Sequence, residues 1–119
     1  MLTGMQQVED FENIKRKSYT MSNNGSVGDY CRVYRIGDLR VVSLRITGKT
    51  GGTSSNSTLA TLVSEDKPLS DEYAALYYTN TIGLFKINAS DGTVKNAITV
   101  PDGTTFYGTM IYPVDYTNV

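Results

Sequence analysis

The chain has 119 residues, of which 11 are basic and 12 acidic, so its formal net charge is -1. One domain with a single core fits this length, whereas a catalytic domain joined to a separate cofactor domain does not. The balanced charge provides no net positive field for a polyanion, which argues against nucleic-acid binding, and the absence of histidine excludes Ser-His and Cys-His catalysis and ordinary zinc sites.

The first 17 residues have the features of a short helix. Thr3 and Gln6 have the spacing of a capping box, and the basic run at 15-17 lies where the C-terminal end of a helix dipole favours cations. Because so short a helix is marginal alone, we expect residues 1-17 to be either a frayed leader or a neck that joins copies of the chain. The start lacks the basic and apolar regions of a signal peptide, and no apolar run reaches about 18 residues, so we expect neither export by that route nor membrane insertion.

Residues 18-119 are expected to form one β-sandwich domain, because tyrosine, threonine, serine, asparagine and glycine are abundant there and favour strands and turns. The clearest element is a hairpin in which strands 31-36 and 39-47 flank Gly37-Asp38, a dipeptide that suits a type II′ turn. Further strands are expected at 58-62, 74-78, 81-88, 93-100 and 104-112. About eight short antiparallel strands at this spacing predict an all-β, jelly-roll-like sandwich.

Two of these strands are apolar on both faces. In 81-88, Ile82 and Leu84 alternate with Phe85 and Ile87, and 104-112 has the same character. A single two-layer sandwich normally leaves one face of such strands in water, so the pattern predicts a homo-oligomer.

Two short patterns that could carry chemistry do not develop into sites. Gly48-Lys49-Thr50 has the ending of a phosphate-binding loop, but Ser43 stands where that motif requires glycine and no helix is expected to follow. The lone Cys31 is expected to be a small buried hydrophobe. We therefore expect no catalytic residue, no metal site and no cofactor.

Acidic residues cluster around Pro68. Paired carboxylates can hydrolyse glycosides or hold calcium, but the dense ligand spacing of a calcium loop is missing, so a solvated acidic loop is expected. The residues concerned are Glu65, Asp66, Asp71 and Glu72.

The tyrosines give the most usable binding signal, because a tyrosine ring can stack on the apolar face of a sugar while its hydroxyl bonds the sugar's edge. Tyr77 and Tyr78 are adjacent, so in a strand they point to opposite faces and at most one is in the core. Polar contacts could come from neighbouring turns. The candidate ligand-binding residues are Tyr77, Tyr78, Asn80, Asp102 and Tyr107. The alternative is that these tyrosines pack in the core or in an interface.

Four segments together resemble the C-terminal head domains of bacteriophage tail-fibre and baseplate proteins. They are Val33 to Leu44, Ala60-Thr61-Leu62 with Pro68 six residues on, Ile82 to Ile87 followed by Asp91-Gly92-Thr93-Val94, and Gly108 to Pro113. Such heads often contain a Thr-Leu-Pro-x-Gly-Tyr-Arg-Pro segment; here residues 61-68 keep its frame and final proline but not its central Pro, Gly and Tyr. The resemblance spans about residues 30-113 and covers framework positions only, so it carries no binding residue over.

The resemblance implies a β-sandwich head in the virion tail, assembled as a homotrimer beside other tail or baseplate proteins, that recognises saccharides of the host cell wall. We therefore expect a non-enzymatic receptor-binding domain. The alternative is a structural component that trimerises without a ligand of its own. Exposure of Tyr77 or Tyr78 beside a groove favours binding, and complete burial of both favours the structural role.

Overall fold

Eight strands and one short 3-10 helix form the fold in a computed structural model that describes residues 14-114. The prediction of an all-β antiparallel fold of about eight strands is confirmed. The strands are β1 (Lys15–Tyr19), β2 (Tyr30–Ile36), β3 (Leu39–Thr47), β4 (Thr58–Thr61), β5 (Glu72–Tyr78), β6 (Thr81–Ile87), β7 (Thr93–Asn96) and β8 (Thr105–Pro113), and the helix η1 (Ser64–Asp66) lies between β4 and β5.

All eight strands belong to one sheet, in the order β1-β2-β3-β8-β5-β6-β7-β4. The two outermost strands come back together, because the Ser22 N–H, just after β1, donates to the Leu59 carbonyl in β4 at 2.9 Å. The sheet is therefore nearly closed and surrounds one core. The buried apolar side chains come from seven strands, β2 to β8, and from neighbouring loops.

The β2–β3 hairpin forms as its sequence predicts. Ile36 pairs with Leu39 across a two-residue turn in which Gly37 has φ +57°, the left-handed value that the first position of a type II′ turn requires. Strict alternation then turns Cys31 and Val33 inward, where both are fully buried. Burial raises the pKa of the Cys31 thiol to about 12.

The N-terminal prediction is wrong for the basic run. Residues 15-17 do not end a helix but lie in β1, where Lys15 pairs with Arg35 and Tyr19 with Cys31. The strand is preferred because pairing with β2 satisfies its backbone and places Tyr19 against the core, neither of which an isolated short helix provides. The rest of the predicted helix or neck lies outside the described residues.

The strand expected at 93-100 ends early. Residue Asn96 closes β7, since its side-chain amide donates to the Ser54 and Ile98 carbonyls at 2.9 Å each. Val100 instead forms an isolated bridge with Thr53. A polar side chain that bonds nearby backbone competes with the sheet ladder, which explains the early end.

Candidate functional site

Tyr77 and Tyr107 lie side by side on the outer face of the sheet. They are direct partners in the β5–β8 pairing, while the adjacent pair, Leu76 and Gly108, faces the core. Tyr77 is 52% exposed and Tyr107 is 43% exposed. Two neighbouring tyrosine rings in this state offer an apolar surface with hydroxyl groups, the combination that suits a sugar ring.

Tyr78 points to the other face, as the alternation of a strand requires. Its ring packs on Phe106 with a centroid separation of 5.5 Å and an interplanar angle of 36°. Although Tyr78 remains 39% exposed, it belongs to the end of the core and not to the outer-face pair. The expectation that Tyr77 and Tyr78 diverge is therefore confirmed.

The two polar candidates stand apart from the tyrosine pair. Asn80 is exposed in the turn between β5 and β6. Asp102 accepts a hydrogen bond from the Gly51 N–H at 2.9 Å and thereby ties two loops together. The structure thus brings together Tyr77 and Tyr107 of the five predicted residues, and it gives Asp102 a structural contact.

The tyrosine pair is part of a longer row that crosses five adjacent strands of the outer face. In the order β2, β3, β8, β5 and β6, the row consists of Tyr30, Arg45, Tyr107, Tyr77 and Ile82. Sequence reasoning missed Tyr30 and Arg45. Their pairing could have been predicted from the hairpin turn. The turn pairs Ile36 with Leu39, and counting back along both strands in the same register places Tyr30 opposite Arg45.

Arginine side chains on this face are held by aromatic and backbone groups. The Arg32 guanidinium lies 3.9 Å from the centre of the Tyr30 ring, a cation–π contact. Arg45 packs against the backbone of Gly28, where an added Cβ would lie 2.2 Å from its Nη1. Its Nε is 4.0 Å from the Asp29 carboxylate and has no hydrogen-bond partner.

Three further side chains of the outer face are apolar and exposed: Ile82 and Leu84 on β6, next to the Tyr77 strand, and Ile111 on β8, four residues along the strand from Tyr107. Ile82 is 75% exposed, Ile111 is 62% exposed and Leu84 is 47% exposed. We call these three residues the apolar patch. Exposed aliphatic side chains on one sheet face are typical of a surface that another molecule covers.

A separate polar centre is buried at the inner side of η1. Asp66 is fully buried, so the prediction of a solvated acidic loop is wrong for this residue. Arg35 binds its carboxylate through two nitrogens, Arg40 Nε lies 3.0 Å from Oδ1, and the Tyr19 hydroxyl donates to Oδ2. Tyr112 donates to its backbone carbonyl. Strands β1, β2, β3 and β8 are thereby joined to η1.

The charge state of this centre follows from its contacts. Burial alone raises the pKa of Asp66, but hydrogen bonds from Arg35, Tyr19 and Arg40 outweigh burial and hold that pKa below its usual value. Burial and the neighbouring carboxylate raise the pKa of the Tyr19 hydroxyl. The Asp66 carboxylate and the side chains around it are hydrogen-bonded to one another, so we assign this centre a structural role.

A cleft of about 430 Å³ lies between the edges of β1 and β4. Its walls include Lys17, Tyr19, Thr61 and Val63, and none of the five predicted binding residues lines it. Within residues 14-114, no three histidine, cysteine or carboxylate side chains lie close enough together to hold a metal ion. The same residues contain no helix long and apolar enough to span a membrane.

Comparison of the chain with models of protein families gives no match, and comparison with curated proteins gives none either.

Proposed function

We propose that this protein is a non-enzymatic host-attachment domain of a bacteriophage tail, which binds a saccharide of the bacterial cell wall and works as a homo-oligomer, most simply a trimer. The proposal is supported above all by the exposed pair Tyr77 and Tyr107 on the outer sheet face. Weak binding at one such pair is multiplied when several copies are held in one assembly.

The exposure of the tyrosines supports the binding role. About half of Tyr77 is accessible in the single chain, which leaves its ring open to a ligand, whereas the structural alternative covers it with another copy. Both tyrosines belong to one continuous sheet, and Asn80 is an exposed amide in the turn that follows Tyr78.

Self-association is supported by the apolar patch of Ile82, Leu84 and Ile111. These side chains are on strands whose inner faces already fill the core, so intramolecular packing cannot bury them. Placing such residues against a second copy removes apolar surface from water at roughly 25 cal/mol per Å². Because Tyr77 pairs with Ile82 of the patch, the tyrosine pair then lies at the margin of the interface.

The structural alternative, a trimerising fibre or baseplate component without a ligand, is favoured by the same apolar patch. The two roles differ in the function of the tyrosines. In the structural role, Tyr77 and Tyr107 only add contact area between copies, so replacing them weakens assembly, and the protein binds no saccharide.

The test is calorimetric titration of the full chain with purified cell-wall saccharides of candidate hosts, together with the oligomer mass from light scattering. We expect Tyr77→Ala and Tyr107→Ala each to weaken saccharide binding about tenfold. Stacking of a nucleobase on an aromatic side chain contributes on the order of 1–3 kcal/mol, and we expect stacking of a sugar ring to fall in the same range. Tyr73→Ala is the matched control, since Tyr73 is 55% exposed on the same strand but does not pair with Tyr107.

An intact oligomer that binds no saccharide of the true host would overturn the binding role and leave the structural alternative. A monomer in solution would overturn the self-association. For the oligomer, Ile82→Glu and Ile111→Glu should lower the mass, whereas Leu69→Glu, at an exposed leucine in a loop, should not.

A further inference from the structure

Three outward-facing arginines form a diagonal line across the first three strands of the sheet. Register fixes their positions: Arg16 is opposite Tyr34, Arg32 is opposite both Ser18 and Ser43, and Arg45 is opposite Tyr30. Each arginine is therefore displaced by one strand and two residues from the next, a diagonal separation of roughly 7–8 Å between backbone positions.

Tyrosines fill the places between and beyond these arginines. Tyr30 lies beneath the Arg32 guanidinium and beside Arg45, and Arg45 is followed across the sheet by Tyr107 and Tyr77. We call this set the arginine–tyrosine track. It consists of Arg16, Arg32, Tyr30, Arg45, Tyr107 and Tyr77. It crosses five strands, which at about 4.8 Å between strands is on the order of 20 Å.

The track has almost no negative charge of its own. No outward-facing position of the described strands holds a carboxylate, and Glu72 in β5 pairs with the buried Ile87 and so faces inward. Arg16 and Arg32 have no salt bridge to any described residue. Among the described residues, Asp29 has a carboxylate within 4.0 Å of a track arginine: it lies 4.0 Å from Arg45 and accepts hydrogen bonds from Ser26 and Thr47.

The fold thus separates charges that nearly cancel in the sequence. An overall charge of -1 argues against attraction of polyanions at long range, but an anion that reaches the track meets three arginines, and of the carboxylates in residues 14-114 only that of Asp29 lies within 4.0 Å of one of them. An arginine stacked on a tyrosine, as Arg32 is, keeps the edge of its guanidinium free for a bidentate contact with phosphate or carboxylate.

On these observations we propose that the track binds an extended anionic saccharide polymer, with its phosphate or carboxylate groups on Arg16, Arg32 and Arg45 and its sugar rings on the tyrosines. This inference rests on the proposed saccharide-binding function and specifies the ligand. A saccharide fits better than a nucleic acid because the cations are few and the rest of the chain adds no net positive charge.

The experiment measures the affinity of the full chain for glucosylated poly(glycerol phosphate), polygalacturonate and neutral dextran, with a single-stranded oligonucleotide as a fourth probe. We expect one of the two anionic polymers to bind, the affinity to fall with added salt, and dextran to bind at least tenfold more weakly. The polymer that binds identifies phosphate or carboxylate as the recognised group.

Arg16→Gln and Arg32→Gln should each weaken binding of the anionic polymer roughly tenfold, as expected for the loss of one charge-assisted contact. Lys95→Gln is the matched control, because Lys95 is an outward-facing cation on β7 that lies off the track. Circular dichroism and thermal unfolding of each variant show whether the fold is retained.

The outcomes separate this inference from the proposed function. If a neutral host saccharide binds through Tyr77 and Tyr107 while both arginine variants bind normally, the anionic ligand is wrong and the attachment function stands. If the oligonucleotide binds as tightly as the best polymer, saccharide recognition by the track is wrong. If no saccharide of any charge binds to the folded oligomer, both are wrong.

Discussion

Asp66 and Arg35 form a two-point ion pair, with Arg35 Nε 2.8 Å from Oδ1 and Nη2 2.9 Å from Oδ2, and the Asp66 side chain is completely buried. The pair joins η1 to β2, and Arg40 and Tyr19 extend it to β3 and β1. Because these strands include one edge of the nearly closed sheet, the ion pair helps to hold the sheet in its curved form.

Asp66→Asn should destabilise the fold by about 3 kcal/mol, because it leaves Arg35 and the largely buried Arg40 without their counter-charge. The free energy of unfolding from urea titration measures the effect. Glu65→Gln is the control, since Glu65 is 65% exposed and its contact with Arg35 at 3.2 Å should contribute less than about 1 kcal/mol. Equal losses in the two variants would contradict the structural role of Asp66.

The same carboxylate should make stability depend on acid. The pKa of Asp66 is lowered in the folded state by its hydrogen bonds, so the unfolded chain takes up a proton first as the pH falls. The stabilisation is therefore fully present above the ordinary carboxyl pKa of about 3.9 and is lost as the pH falls through the lower folded value. Urea midpoints at pH 7 and at pH 3 measure it, and the drop should be smaller in Asp66→Asn than in the unmodified chain.

Gly108→Ala should destabilise the protein by about 1–3 kcal/mol. An added Cβ would lie 2.5 Å from Phe85 Cε1 and 2.8 Å from the Ala75 carbonyl oxygen, so β5 and β8 would have to move apart. Their separation would also displace Tyr77 from Tyr107, the next pair in the ladder. Thermal unfolding measures the loss, and Thr109→Ala at the adjacent exposed position should change stability by less than about 0.5 kcal/mol.

Thr79→Gly should stabilise the β5–β6 hairpin. Thr79 occupies the first position of a two-residue turn with φ +45°, which a β-branched residue rarely adopts and glycine adopts without strain. Relief of this strain exceeds the added backbone entropy of glycine, and we expect a net gain of up to about 1 kcal/mol. Thr81→Gly, in the adjoining strand, should reduce stability; a loss in both variants would mean that the turn is not strained.

Local sequence patterns predicted the elements that depend on neighbouring residues. The Gly37-Asp38 turn fixes its hairpin, and strand alternation places Tyr77 and Tyr78 on opposite faces. The Tyr77–Tyr107 pairing joins residues far apart in sequence, and no local pattern encodes the meeting of β5 with β8.

The errors have the same origin. The basic run at 15-17 looks like the end of a helix until β2 provides a partner, and Asp66 looks exposed until Arg35, Arg40 and Tyr19 surround it. Tertiary contacts decided both cases, since neither the strand propensity of a lysine-rich segment nor the burial of a carboxylate is favourable in isolation.

The closeness of the edge strands β1 and β4 also affects how readily the protein aggregates at high concentration. A sheet with two open edges can grow by adding strands from other molecules and is prone to form fibrils. Here the Ser22–Leu59 hydrogen bond brings the two edges together, and exposed Lys15 and Lys17 place like charges along β1. These features disfavour edge-to-edge aggregation and are compatible with the proposed association of copies through their faces.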